Sequence, residues 1–400
     1  MGKLMIFGVL LLICLLLALL LVINCVIIAV KHLRHSKKGK TLSHVRFTAL
    51  LLCALLLLCA GFTAITQWNA STPAITDEQG NPVNNSIAEL IQVELNGRKE
   101  WISLRGYSAN NPVLLFLAGG PGGTQMAAVR YDLAELEKHF VVVNWDQPGS
   151  GKSYSAMPLS KLTPETYIDD GYALTQYLCE RFGQKKIYLV GESWGSALGI
   201  FLAAQHPELY HTVIGTGQMV AFAETERIDY TLAMELSKQA GDTDIAAKLE
   251  KNGPPPYYGS DVTWKSAVYL NYLSECMARN TQIHNAGYNT SRDLGAPEYG
   301  ILDKINFFRG IVSTFNQVYP QLYPVDLRQG YTTLQIPVYF FLGRHDLNAP
   351  VSLAQEYFDA LNAPYKEIVW FEHSGHSPWI NESDKFVQEV IQVARNSSDK

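Results

Sequence analysis

Two long apolar runs near the N-terminus constrain this chain more than any other feature. Leu4–Val30 is almost wholly apolar, and Phe47–Ile65 is a second such run. Each reaches the roughly 20 residues that a helix needs to cross the hydrocarbon core of a bilayer. A cleaved signal peptide would have a shorter apolar core and no second span after it. The sequence therefore predicts a transmembrane hairpin over residues 1–67, with spans at about 4–30 and 47–66.

The distribution of positive charge predicts how this hairpin is oriented. The loop between the runs carries a cluster of cations, whereas no lysine or arginine follows the second run until Arg98; the cluster consists of Lys31, Arg34, Lys37, Lys38, Lys40 and Arg46. Short cation-rich loops stay on the cytoplasmic side of a membrane. We therefore expect a multi-pass membrane protein, with the lipid bilayer as a partner and everything after Trp68 on the extracytoplasmic side.

The rest of the chain is predicted to form one domain whose core is divided by an inserted lid. A polar linker over 68–88 leads to strands and helices that alternate, which is typical of a mostly parallel sheet covered by helices on both faces. Asn96-Gly97 marks a hairpin at the start of this domain. The alternation lapses in an aromatic-rich stretch and then resumes, so we predict a core over 89–218 and 331–400 with a helical lid over 219–330.

A serine on a sharp turn is the strongest catalytic signal. LVGESWGS places Gly191-x-Ser193-x-Gly195 between a predicted strand and a predicted helix. A nucleophile on such a turn needs glycine two residues to either side, because side chains there would collide with the neighbouring strand and helix. Ser193 is the predicted nucleophile.

A serine hydroxyl needs a base, and the base needs an orienting acid. In this architecture the order along the chain is serine, acid, histidine. Asp346 ends the predicted strand YFFLGRHD, and His376 lies in the loop after the final strand, so both positions are at carboxyl ends of strands, the edge at which Ser193 also emerges. His345 and His373 are competing choices. No carboxylate or cysteine cluster accompanies the pair His373 and His376 at a familiar ligand spacing, so no metal is predicted.

Two backbone N–H groups should stabilise the oxyanion of the tetrahedral intermediate. One is expected from Trp194, directly after the nucleophile. The other is expected from Gly120, in the glycine turn AGGPGG after the first core strand.

The stretch NWDQPGSGKSYS contains G-S-G-K-S and raises the alternative of a phosphate-binding loop. Such a loop needs a glycine at the position that Asp146 occupies, and a carboxylate there would repel phosphate. We therefore predict neither a bound nucleotide nor another cofactor. The net charge of −5, with no basic domain, gives no indication of nucleic-acid binding either.

Taken together, LAGGPGG, NWDQPGSGKS, GESWGS, FLGRHD and SGHS resemble the α/β-hydrolase fold, and most closely its prolyl iminopeptidase branch. The resemblance runs from about Glu89 to the C-terminus. It implies that Asp146 and Gln147 support the floor of the active site and that Lys152 is incidental.

The chain departs from that branch at two places. Ala118 replaces a histidine before the paired glycines, and the lid lacks the W-x-x-W-E stretch that helps to hold the substrate's free amine. Glu224 and Glu226, where the lid begins, are the first candidates to replace it in substrate binding, and Glu275 is a third.

These observations predict a membrane-anchored serine hydrolase that acts on a small peptide or ester. An aminopeptidase of the prolyl iminopeptidase type, cleaving small N-terminal residues, is the favoured interpretation. An esterase or lipase-like hydrolase with the same triad is the alternative. A catalytically silent binding protein with this fold is a further one.

Overall fold

The computed structural model of this protein describes residues 2–35, 39–285 and 287–398. Lys37 and Lys38 of the predicted basic loop lie outside the described residues.

One compact unit contains the residues up to Ser71 together with Leu294–Ile305. Its long elements are helices α1 (Gly2–Leu33) and α2 (Gly39–Trp68), which pack against each other. Both helices are long and apolar enough to cross a membrane, and they contain the two predicted spans. Many of their large apolar side chains are exposed, as expected for helices that an apolar phase surrounds.

Leu294–Ile305 was predicted as part of the lid but groups with α2. The Gln67 side chain donates to Asp303 at 2.9 Å, and the N–H of Ile301 donates to Thr66 Oγ1 at 3.2 Å. These bonds join residues more than 230 positions apart in sequence, which a local pattern cannot reveal.

The second unit contains Thr72–Asp293 and the residues from Asn306 onward, and it is built on a sheet of eight strands. The strands are β1 (Ile87–Leu95), β2 (Arg98–Gly106), β3 (Val113–Leu117), β4 (Val141–Asp146), β5 (Ile187–Glu192), β6 (Tyr210–Thr216), β7 (Val338–Gly343) and β8 (Lys366–Phe371). Their order is β1-β2-β4-β3-β5-β6-β7-β8. The β1–β2 and β2–β4 pairs are antiparallel and the others are parallel. The mostly parallel sheet and the hairpin at Asn96-Gly97 are as predicted.

Helices cover both faces of the sheet. Among the described residues after α2, the α-helices are α3 (Met126–Asp132), α4 (Pro164–Phe182), α5 (Trp194–Gln205), α6 (Phe222–Ala240), α7 (Thr243–Asn252), α8 (Val262–Arg279), α9 (Thr290–Gly295), α10 (Ile301–Arg309), α11 (Phe315–Val318), α12 (Leu327–Gly330), α13 (Val351–Ala360), α14 (Pro378–Asn381) and α15 (Ser383–Ser398). On β3, Leu115 belongs to a cluster with Leu198 of α5, whereas Leu114 belongs to one with Val129 of α3 and Phe386 of α15. Successive side chains of β3 therefore pack on opposite faces of the sheet, and both faces are buried.

The stretch between β6 and β7 is helical. Helices α6, α7 and α8 pack around a cluster of their own that includes Leu249, Tyr269 and Leu273. A π-helical turn at Gly310–Thr314 precedes α11. This lid follows β6 on the carboxyl side of the parallel strands, the edge at which sites form in such sheets.

Candidate active site

Ser193 lies on the turn between β5 and α5. Its backbone φ of 54° and ψ of −120° are unusual for a residue with a side chain. A Cβ added at Gly191 would lie 2.2 Å from the carbonyl oxygen of Gly195, and one added at Gly195 would lie 2.1 Å from that of Leu117. Both glycines are therefore required by close approach of the backbone, for the steric reason that the sequence suggested.

His376 and Asp346 come together from the turns after β8 and β7. The His376 Nδ1 atom lies 3.0 Å from Oδ2 and 3.1 Å from Oδ1 of Asp346. Asp346 Oδ1 also accepts the N–H groups of Asn348 at 2.8 Å and Ala349 at 3.0 Å. The carboxylate is thus held in place, and the imidazole is oriented by it.

The ring of His376 also packs closely against Gly217. A Cβ at this position would lie 2.8 Å from the His376 Cε1 atom, and the φ of Gly217 is +52°. His376 lines the same cavity as Ser193, but in the described residues no hydrogen bond joins the two side chains.

The environment of His376 favours its protonated form. Burial disfavours the imidazolium, but the Asp346 carboxylate and, to a smaller extent, the Glu192 carboxylate outweigh burial and raise the pKa of His376 to about 9. His373, the competing choice, is exposed, stacks on His284 at 4.1 Å and places its Nδ1 3.1 Å from the Gln282 carbonyl oxygen. The other competing choice, His345, is joined to Ser374 by a backbone hydrogen bond of 2.9 Å.

The glycine turn after β3 faces the turn that carries Ser193. Gly120 has a φ of +131°, and a Cβ there would lie 2.7 Å from the backbone nitrogens of Gly122 and Gly123. Gly120 and Trp194 both line the cavity that contains Ser193. This brings the two predicted oxyanion donors to one site.

Gln147 connects these two turns. Its amide nitrogen donates to the carbonyl oxygen of Ala118 at 3.2 Å, and its amide oxygen accepts the indole N–H of Trp194 at 3.1 Å. Asp146 accepts the hydroxyl of Thr124 and, at 2.7 Å, the N–H of Lys152. The G-S-G-K-S loop therefore folds around the carboxylate of Asp146, which precedes it.

Two cavities meet at Ser193 and His376, and both also touch Gly120, Gly123 and Ile311. The first, of about 260 Å³, we call the Asp229 cavity; its other lining residues include Trp194, Met219, Phe222, Asp229, Leu270 and Tyr319. The second, of about 480 Å³, we call the Phe308 cavity; its other lining residues include Gln125, Glu192, Tyr288, Asp293, Phe307 and Phe308.

The structure does not bring the three predicted glutamates to either cavity. Glu224 forms an ion pair with Arg328. Glu275 is exposed and forms an ion pair with Arg279 at 3.1 Å. Glu224 and Glu275 thus pair with arginines outside both cavities.

Glu226 is fully buried and lies behind the cavity wall. Its carboxylate accepts the hydroxyls of Tyr269, of Tyr319 at 3.0 Å and of Ser266 at 3.3 Å. Burial raises its pKa, and these hydrogen bonds partly oppose the rise. Of its partners, Tyr319 lines the Asp229 cavity.

Asp229 is a carboxylate that the sequence analysis missed. It lies on α6 one helical turn after Glu226, is fully buried and lines the cavity. Neither of its carboxylate oxygens has a hydrogen-bond partner among the described residues. Burial, then the charges of Glu226 and Asp346, raise its pKa well above the usual range. The i, i+3 spacing of the two acids in ETERID was the available signal.

Glu192, directly before Ser193, is a second residue that the sequence analysis missed. Its buried carboxylate accepts hydrogen bonds from Ser377 Oγ at 2.6 Å, Trp379 Nε1 at 2.9 Å and Tyr288 Oη at 2.6 Å, and another from Gln125. All of these donors are neutral, so they satisfy the carboxylate without cancelling its charge.

Comparison with known proteins agrees with this architecture. Residues 112–383 match the α/β-hydrolase fold family. The Bacillus subtilis (strain 168) protein named "Probable aminopeptidase YbaC" is 31% identical over 321 residues, which cover 79% of this chain and 99% of that protein. A proline iminopeptidase of Clostridium botulinum is 26% identical over 297 residues, which cover 73% of this chain and 92% of that enzyme.

Among solved structures, the proline iminopeptidase of Mycobacterium smegmatis superposes with a TM-score of 0.54 at 18% identity. The match covers 78% of this chain and 99% of that one. The predicted fold and the resemblance to proline iminopeptidases are confirmed.

Proposed function

Because this chain belongs to the α/β-hydrolase fold family, we propose that it is a membrane-anchored serine aminopeptidase that removes a small residue from the N-terminus of peptides. Two features support the chemistry. Ser193 stands on a constrained turn, and His376 is hydrogen-bonded to Asp346 beside the same cavity.

In the proposed reaction, His376 takes the proton of Ser193 as the hydroxyl attacks the scissile carbonyl. The N–H groups of Gly120 and Trp194 stabilise the oxyanion, and Asp346 stabilises the imidazolium. His376 then gives its proton to the departing amine, leaving an acyl-enzyme on Ser193. Water, deprotonated by the same histidine, attacks the ester, and His376 returns the proton to the Ser193 oxygen as the free amino acid is released.

The observation that carries the aminopeptidase assignment is the buried, unpartnered carboxyl group of Asp229 in the cavity beside Ser193. A buried carboxylate without a partner is costly, and an ammonium group in a partly dry pocket is costly as well. Pairing the substrate's α-ammonium with Asp229 offsets both penalties. Phe222, Leu270 and Tyr319 then surround the first side chain, and about 260 Å³ accommodates a small residue such as alanine or proline.

The test compares three substrates: an alanyl arylamide, its N-acetyl analogue and a short-chain aryl ester. We expect the wild type to prefer the free amine. Asp229→Asn should reduce kcat/KM for the free-amine amide by an amount equivalent to about 2–5 kcal/mol, the range for truncating one member of a buried charge pair. The ester should be nearly unaffected.

Glu224→Gln is the matched control, because Glu224 lies on the same helix but pairs with Arg328 outside both cavities. It should leave the preference unchanged. Equal use of free and acetylated amides by the wild type would contradict the aminopeptidase assignment and favour an esterase. Absence of turnover on all three substrates would favour a silent binding protein.

Membrane anchoring is the second part of the proposal. Helices α1 and α2 are long and apolar enough to form the two spans. The described cations of the loop region, including Lys31, Arg34, Lys40 and Arg46, support a cytoplasmic loop. The hydrolase domain then lies on the extracytoplasmic side.

A further inference from the structure

We propose that the Phe308 cavity is the subsite for the leaving peptide, and that it selects a large apolar or aromatic residue directly after the scissile bond. The inference rests on the proposed aminopeptidase function and assigns the second half of its substrate.

The two cavities share Ser193 and His376 and differ in most of their other lining residues. A scissile carbonyl at Ser193 has an acyl side and a leaving side, and the two cavities diverge from Ser193 and His376. The Asp229 cavity contains the proposed amine anchor and Trp194, whereas the Phe308 cavity contains neither. If the N-terminal residue occupies the Asp229 cavity, the departing segment is directed into the Phe308 cavity.

Large apolar side chains that line the Phe308 cavity are exposed. Phe308 is 53% exposed, Tyr288 44% and Ile311 41%, and all three line this cavity. Phe307 adds a second aromatic ring, 5.3 Å from Phe308 in an edge-to-face arrangement. Large apolar side chains left open to water around a concave site mark a surface that a ligand covers. An aromatic side chain fits both the shape and the ring geometry.

The charged residues that line the Phe308 cavity are acidic. No lysine or arginine lines the described part of the Phe308 cavity, whereas Glu192 and Asp293 do. Asp293 is paired with Arg292 at 2.7 Å, but the hydrogen-bond donors around Glu192 are neutral. A free C-terminal carboxylate directly after the scissile bond would meet this negative charge without a counterion. The subsite therefore favours a longer peptide, or a dipeptide with an amidated end, over a dipeptide with a free C-terminal carboxylate.

The experiment measures kcat/KM of the full-length protein for alanyl-phenylalanine amide, alanyl-alanine amide and alanyl-phenylalanine. We expect the phenylalanine amide to exceed the alanine amide by about tenfold or more, as for a filled apolar pocket. The phenylalanine amide should also exceed the free acid. Phe308→Ala should bring the ratio of the two amides close to one, and Phe308→Leu should restore part of it.

Trp264→Ala is the matched control. Trp264 is another exposed aromatic residue of the lid, 64% exposed against 53% for Phe308, and lines neither cavity at Ser193. It should leave both ratios unchanged.

The outcomes separate this inference from the proposed function. Cleavage of both amides at equal rates, or a phenylalanine preference that survives Phe308→Ala, overturns the subsite assignment while the aminopeptidase stands. Equal kcat/KM for alanyl-phenylalanine amide and alanyl-phenylalanine overturns the inferred selectivity of the subsite against a free C-terminal carboxylate. Failure to cleave any of the three peptides, with an aryl ester still hydrolysed, overturns the proposed function itself.

Discussion

Trp194 donates its indole N–H to the side-chain oxygen of Gln147 at 3.1 Å, and this bond joins the turn that carries Ser193 to the residue that follows β4. Through its amide nitrogen Gln147 also holds the carbonyl of Ala118, at the start of the glycine turn. One side chain therefore links the two segments that carry the proposed oxyanion donors.

Replacing Gln147 should impair turnover more than binding. Gln147→Leu removes both bonds, and a misplaced oxyanion donor is expected to lower kcat by about 10- to 100-fold with little change in KM. Steady-state kinetics on the best substrate measures this. Lys152→Ala, in the neighbouring loop, should retain activity. An unchanged kcat in a folded Gln147→Leu protein would contradict the positioning role.

The proposed triad should behave as a single unit. Ser193→Ala and His376→Ala should each reduce kcat by about 10³-fold or more, and the double variant should be no worse than either single one. His373→Ala should remain active. If His373→Ala is the damaging change and His376→Ala keeps activity, the general base has been assigned to the wrong histidine.

The raised pKa of His376 predicts an alkaline activity profile. Because the general base must be neutral, the rate at which a fluorophosphonate probe labels Ser193 should rise with pH, with a midpoint near 9. Asp346→Asn should shift this midpoint downward. A wild-type midpoint near 6.5, the ordinary histidine value, would contradict the environment described for His376.

The same pKa makes a prediction for stability. The folded protein binds this proton more tightly than the unfolded chain does. The resulting stabilisation is fully present below about pH 6.5 and is lost as pH rises through about 9. Denaturant unfolding across this window, compared with His376→Ala, measures it.

Gly217 should be required for activity beyond its effect on stability. Gly217→Ala strains a backbone with a φ of +52° and places a methyl group 2.8 Å from the His376 ring, whereas Gly241 has a φ of +77° and no atom within 4 Å. Both substitutions to alanine should destabilise the fold by about 1 kcal/mol or more. Only Gly217→Ala should abolish most turnover. Equal activity of the two variants at matched folded fraction would argue against close packing on His376.

The proposed topology predicts which segments a protease can reach. Protease added to intact cells should digest the domain after Trp68, while the loop between α1 and α2 stays protected. Inside-out vesicles should give the reverse pattern. A protected hydrolase domain in intact cells would place it in the cytoplasm.

Local patterns were sufficient to predict several features. Apolar run length predicted the helices α1 and α2. The glycine spacing around Ser193 predicted its turn, since backbone contact at Gly191 and Gly195 is a short-range steric effect. The order of strand ends predicted that Asp346 and His376 would meet, because parallel strands bring their carboxyl ends to one edge.

The substrate side of the site depended on tertiary structure. ETERID contains several acidic residues, and the packing of α6 in the lid determines what each of them contacts. Glu224 pairs with Arg328, 104 residues away, and Glu226 is enclosed by hydroxyls. Asp229 faces the cavity. The sequence by itself determined the fold and the candidate nucleophile, acid and base, because these follow from local sterics and strand order. Which carboxylate faces the cavity was decided by the rotation and packing of a lid helix. That packing depends on long-range contacts, which a local sequence pattern does not show.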